Sequence, residues 1–164
     1  DGDEIRAIIA KLRRELPDII IRTSLIAGFP TETEEQHLEL VRFIQEERLD
    51  RVGVFTYSRE ENTPAAGMKG QIPKTVKNKR RKALMLAQQK VVFEKNKKLK
   101  GKILKAMIDA KLSDCDVYIA RSYMDAPDID GCIFVKSSLE HMSGDLIDVR
   151  IEGSKDYDLI GFEA

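Results

Sequence analysis

The chain has 164 residues, 42% of them apolar and 34% charged, with a formal net charge of zero at neutral pH; this suits a globular chain with a real core, as one ordinary domain or two small ones. It holds no run of about 18 apolar residues and no signal-like start, so a soluble, cytoplasmic protein with no membrane role is expected. Its two cysteines, Cys115 and Cys132, lack a metal-ligand spacing and read as small buried hydrophobes in a reducing compartment.

Neutrality hides a division. Residues 1 to 98 carry 20 Lys and Arg against 15 Asp and Glu, whereas residues 99 to 164 carry 8 against 13, so the two halves are expected to meet different partners. Between Lys69 and Lys105 the bias sharpens to fourteen basic residues and one acid, Glu94.

In chain order, Asp3 to Leu16 places Ile5, Ile8, Ile9, Leu12 and Leu16 at helical spacing, and Pro17 ends that helix. Ile19 to Ile21 and Leu25 to Ala27 then form a near-continuous apolar run, which predicts a strand covered on both faces, as in a parallel α/β sheet. Gly28 and Pro30 break it. Thr31 with Glu34, or Thr33 with Gln36, can form a capping box, starting a helix over Thr33 to Glu47 whose Leu38, Val41 and Ile44 face inward. Arg51 to Ser58 reads as a second strand, and helix, strand, helix, strand implies a parallel pair joined by a right-handed crossover. Arg59 to Pro73 reads as a loop. Lys74 to about Lys98 reads as a long basic helix with Ala83, Ala87 and Val91 on one face.

After Gly101 the texture changes to short strands at Ile103 to Ala110, Asp116 to Ser122, Cys132 to Lys136, Leu146 to Ile151 and Tyr157 to Phe162, separated by Asp, Gly, Ser and Pro turns. Five such strands predict a small barrel of the OB type. The expected class is therefore α/β followed by all-β, divided at residues 1–98 and 99–164. Two parallel strands and three helices do not close a barrel, so the first half is expected to be the end of a larger domain.

Three stretches carry a resemblance: Ile-Arg-Thr-Ser-Leu-Ile-Ala-Gly-Phe-Pro-Thr-Glu-Thr-Glu-Glu (21 to 35), Asp-Arg-Val-Gly-Val-Phe-Thr-Tyr-Ser-Arg-Glu-Glu-Asn-Thr-Pro-Ala-Ala (50 to 66) and Gln-Ile-Pro (71 to 73). Together they resemble the radical S-adenosylmethionine methylthiotransferases, with the end of a radical-SAM partial TIM barrel followed by a five-stranded TRAM barrel. Ala-Arg-Ser-Tyr-Met-Asp-Ala-Pro-Asp-Ile-Asp-Gly (120 to 131) and Tyr-Asp-Leu-Ile-Gly (157 to 161) look like the branch that modifies ribosomal protein twelve of the small subunit, rather than the tRNA-modifying branch. The resemblance implies S-adenosyl-L-methionine and two 4Fe-4S clusters as cofactors, an electron donor for the cluster, and transfer of a methylthio group to the β-carbon of an aspartate. The cluster-binding C-x-x-x-C-x-x-C motif is absent from this sequence, so the chain alone is expected to be inactive. Thr31, Asn62 and Ala120 stand where the family usually has glycine at turn positions.

The resemblance also assigns sites. It places Ile26, Ala27 and Gly28 at the end of the first strand, with Val54, Phe55 and Thr56 opposite, beside the adenine, although Gly28, Phe29 and Pro30 serve equally as turn formers. Arg22 interrupts an apolar strand, and a buried charge must be paired, either with the carboxylate of the cofactor or with a structural acid. For substrate, Arg59, Asp125, Asp128, Asp130 and Tyr157 are candidates; the three aspartates can instead make an ordinary turn or a metal loop, and Arg59 a solvated loop charge. His37 and His141 read as surface residues. The basic helix can meet ribosomal RNA through phosphate contacts or present a solvated face. By contrast, the acidic second half disfavours a polyanion and favours a basic protein such as ribosomal protein twelve. A tRNA methylthiotransferase and a non-catalytic RNA-binding module are the rival readings.

Overall fold

The computed structural model describes residues 1–113 and 115–164. The chain divides into two compact units, Asp1–Val91 and Val92–Ala164.

In the first unit, helix α1 (Gly2–Glu15) begins at a capping box in which Asp1 and Glu4 exchange hydrogen bonds. Strand β1 (Arg22–Ala27) follows, then α2 (Glu34–Glu47), β2 (Arg51–Thr56), the short α3 (Pro64–Gly67) and α4 (Lys74–Lys97), within which the division between units falls. Of the two boxes open to α2, Thr33 with Gln36 forms, and Arg48 closes the helix in the left-handed conformation at φ 47°. The two strands pair in parallel from Arg22 beside Arg51 to Ala27 beside Thr56, as the crossover pattern predicts. Ala27, Ile44, Leu49, Val54, Leu84 and Val91 are among the buried residues that close the core under this sheet.

Four expectations change here. Ile19 to Ile21 lie outside β1, and β1 is buried at Ala27 while Arg22, Ser24 and Ile26 are exposed; helices cover one face of a two-stranded sheet and leave the other open. In α2, Ile44 is buried and Val41 packs against the core as predicted, but Leu38 is 47% exposed and His37 is buried in its place. His37 is therefore a core residue, not a surface one. The predicted loop also contains α3, which Thr63 caps by accepting from the Ala66 N–H.

The second unit is a closed barrel of β3 (Ile103–Lys111), β4 (Val117–Ser122), β5 (Ile133–Lys136), β6 (Leu146–Lys155) and β7 (Asp158–Glu163), in the order β3-β4-β5-β7-β6. All pairs are antiparallel except β5 with β7. Strand alternation sends Ile108, Tyr118, Ile133, Val135, Val149 and Ile151 inward, where each apolar side chain contributes roughly 2 kcal/mol of burial. Register shifts at Ile108/Ala110 and Ile151/Gly153 bend β3 and β6, the kind of kink that lets a short sheet close.

The glycine-for-other departures separate. Thr31 and Asn62 do adopt positive φ, 70° and 64°, and for β-branched Thr31 that conformation costs about 1–2 kcal/mol; its N–H is held by the Gly70 carbonyl at 3.0 Å. Ala120, expected at a turn, instead sits fully buried within β4 beside Ile133.

Candidate functional site

Because parallel partners share a face, the β1–β2 sheet presents Arg22, Ser24 and Ile26 with Arg51, Gly53 and Phe55 on one side, and Thr23, Leu25 and Ala27 with Val52, Val54 and Thr56 on the other. The expected adenine set is therefore split between the faces. Ile26 and Phe55 are 53% and 62% exposed, whereas Ala27 and Val54 are core at 0% and 5%. Thr56 is half-buried, and Gly28 is buried in the turn at φ 77°. A Cβ on Gly53 would lie 3.4 Å from the Phe55 ring and 3.8 Å from Ser24 Oγ, so the bare glycine leaves a shallow shelf with an aromatic wall and a hydroxyl. That shelf fits one side of a planar heterocycle. Arg22 is exposed on this face, which removes the premise of a buried charge. Beside it a cavity of 580 Å³ opens between α1, β1 and α2, lined by Ile5, Ile8 and Phe43 among others.

The turn after β1 is tightly held. Glu32 Oε2 accepts the N–H groups of Gly28 at 2.6 Å and Phe29 at 3.3 Å, and Arg80 of α4 donates to Glu32 Oε1 at 2.9 Å. Lys77 donates to the Tyr57 carbonyl at 2.8 Å. Arg59 lies beyond the end of β2, exposed, with Nε donating to the Ala66 carbonyl at 2.8 Å; with Glu61 and Asn62 it lines a groove of 600 Å³.

In the barrel, the three candidate aspartates build a loop. Asp125 accepts from the Ser122 hydroxyl at 2.8 Å and Asp130 from the Ala126 N–H at 2.7 Å, while exposed Asp128 takes φ 60°. Among the described residues no group of three or more His, Cys, Asp or Glu is placed to hold a metal ion. Tyr157 is 41% exposed, with its ring edge-on to Phe93 at 5.5 Å and its carbonyl accepting from Asn96. Three of the barrel's cations are paired, Lys105 with Asp148, Lys111 with Glu140 and Arg121 with Asp109. Each pair neutralises one acid with one cation, so the excess of acids over cations in residues 99–164, 13 against 8, is unchanged by them.

The sequence reading missed one cluster. Ser137 donates to Glu163, and His141 Nε2 lies 3.0 Å from Glu163 and 3.2 Å from Ser137 Oγ. The Ser137 hydrogen bond, then the His141 bond, hold the Glu163 carboxyl below its usual range. The His141 side chain is only 9% exposed, so it is not the surface residue expected. The three are brought together by barrel closure, and no local spacing signals them. The cysteines also differ from expectation: Cys115 is exposed and Cys132 is half-buried, its thiol pushed up to about 11 chiefly by burial and then by Asp158. Two cysteines that join no group of three or more potential ligands among the described residues do not make the thiolate set of an iron–sulfur cluster.

Comparison with known families resolves the second unit. The family described as "TRAM domain" matches residues 101–162. Those residues span nearly all of the closed barrel. Beyond it, the chain is similar over nearly its whole length to proteins named ribosomal protein uS12 methylthiotransferase RimO. The protein from Lachnoclostridium phytofermentans is 52% identical over 98% of this chain and 37% of its own length. Those of Alkaliphilus oremlandii and Pelotomaculum thermopropionicum are 45% and 46% identical, over 98% and 97% of this chain and 37% and 36% of their own lengths. The resemblance to the methylthiotransferases is thus borne out, and the chain spans a little over a third of the relatives it matches. No helix among the described residues is long and apolar enough to cross a membrane.

Proposed function

We propose that this chain supplies one wall of the cofactor site and the substrate-recruiting TRAM barrel of an enzyme that places a methylthio group on the β-carbon of an aspartate in ribosomal protein uS12. The observation that carries the reading is the 52% identity, over 98% of the chain, to a protein of that name. Bound S-adenosyl-L-methionine supplies the radical-forming and methyl-donating chemistry of the family. This chain's own part is to bind and orient. Ile26 and Phe55 form the apolar side of the adenine slot, with Ser24 and Arg22 as polar neighbours, while Ala27, Gly28, Val54 and Thr56 set the backbone beneath it. The two 4Fe-4S clusters and the electron donor that serves them fall to parts of the full-length enzyme other than these residues.

In the same reading the acidic barrel draws the basic substrate protein, with Asp125, Asp128, Asp130 and Tyr157 at the contact and Arg59 near the mouth of the cofactor site. Exposed lysines of α4 reach ribosomal RNA through phosphate contacts, and the enzyme works in the cytoplasm. The tRNA-modifying branch and the plain RNA module are not favoured by the relatives' names. The test is to incubate the full-length, cluster-loaded protein with S-adenosylmethionine, a reductant and either uS12 or tRNA, and to map products by mass spectrometry. Methylthiolation of one uS12 aspartate is expected; modified tRNA with untouched uS12 would overturn the reading.

A further inference from the structure

We infer that Arg80 and Lys77, two members of the basic run, are positioning residues that fasten the two strand-end turns of the cofactor face to one turn of α4. The inference rests on the reading that S-adenosylmethionine binds that face.

The geometry is specific. Lys77 and Arg80 are three residues apart, so they project from the same side of α4. Glu32 is 11% exposed and Arg80 8%. The Glu32 carboxylate fills the anion nest made by the Gly28 and Phe29 N–H groups, at 2.6 and 3.3 Å, with one oxygen, and meets Arg80 Nη1 at 2.9 Å with the other. The same guanidinium nitrogen donates to the Glu32 carbonyl at 2.9 Å, and Nη2 reaches Glu34 at 3.2 Å. A buried carboxylate in such a nest depends on its cation. On the neighbouring strand end, Lys77 Nζ donates to the Tyr57 carbonyl at 2.8 Å and lies 4.7 Å from the Tyr57 ring centre. Its stem crosses Gly28 so closely that a Cβ there would lie 2.4 Å from Lys77 Cγ. The Tyr57 N–H donates to the Ala27 carbonyl at 2.9 Å, and the Tyr57 ring meets Phe29 edge-on at 5.4 Å. Both turns are therefore tied to α4, and the fastened Gly28 and Tyr57 lie two positions past Ile26 and Phe55. Neither cation touches the shelf itself; each acts through a turn, by holding the Gly28 and Tyr57 backbone where the strands end. This also separates the basic run into charges spent inside the fold and charges left for solvent or phosphate.

The test measures S-adenosylmethionine affinity by equilibrium dialysis on the full-length protein, at a temperature where circular dichroism shows each variant fully folded. Arg80→Met is expected to weaken binding about tenfold, in line with the sensitivity of a site to small misplacement, and Arg80→Lys to recover part of that loss. Leu84→Ala, in the same helix but directed into the core, should lower the melting temperature at least as far as Arg80→Met while leaving affinity unchanged. Wild-type affinity in Arg80→Met, or an equal loss in Leu84→Ala, would overturn the inference. Phe55→Ala separates the two levels: if it loses affinity while Arg80→Met does not, the fastening role alone fails, and if Phe55→Ala binds as wild type, the cofactor-face reading fails and the inference with it.

Discussion

Replacing Gly161 by alanine is expected to destabilise the barrel strongly without unfolding it. A Cβ at this position would lie 2.5 Å from the Arg150 carbonyl oxygen and 2.8 Å from Val149 Cγ1, and neither backbone nor a fully buried valine can yield. Gly161 sits between Ile151 of β6 and Val135 of β5, so relief requires parting strands in the middle of the barrel. A cost of about 3 kcal/mol follows for such overpacking, against a total stability on the order of 5–10 kcal/mol for a domain of this size. Gly153→Ala is the control, because nothing lies within 4 Å of a Cβ there, and it should change stability by less than about 0.5 kcal/mol. Guanidinium unfolding of residues 92–164, which hold their own barrel and core, checks both. Equal midpoints for the two variants would contradict this account of β7 packing.

The second large effect is on cofactor binding, and it separates the two faces of the β1–β2 sheet. In the full-length enzyme, Phe55→Ala should weaken S-adenosylmethionine binding about tenfold, the loss of roughly 1.5 kcal/mol of apolar contact. Its stability should change little, since 62% of Phe55 is open in this chain. Val54→Ala should do the reverse: Val54 is 5% exposed, so its truncation costs about 2 kcal/mol of folding stability with affinity within a factor of two or so. Dialysis and thermal melts on the same preparations read both quantities. Affinity lost in Val54→Ala and kept in Phe55→Ala would place the cofactor elsewhere.

Much of the architecture was legible because local chemistry and global fold agree. The Thr33–Gln36 box starts α2, two apolar runs around a helix give a parallel pair, and five short alternating segments between Asp and Gly turns give the barrel. One position of the α2 stripe was not legible: Val41 and Ile44 face the core as expected, but a turn earlier the core takes His37 and not Leu38. Nor was the open face of β1: Ile19 to Ile21 look like strand core, yet they lie outside β1 and are half-buried, with Ile21 packed against the core, while Ser24 and Ile26 of the strand itself are exposed. At the candidate site, the resemblance named Ile26 and Phe55 together with Ala27 and Val54, which alternation assigns to the opposite face. Arg80 was hidden within a run of fourteen basic residues, and only its pairing with Glu32 distinguishes it. Ser137, His141 and Glu163 carry no short-range signal at all.

Under the proposed function, the acidic barrel recruits a basic protein instead of nucleic acid. Residues 99–164 hold 8 basic and 13 acidic side chains, so electrostatics should repel a phosphate backbone and attract a cationic partner. The most direct measurement is titration of residues 92–164 with purified uS12 and, in parallel, with tRNA across a salt series. Saturable binding to uS12 that weakens as salt rises, with no binding to tRNA, is the predicted result; binding to tRNA alone, with affinity falling steeply with salt, would contradict it.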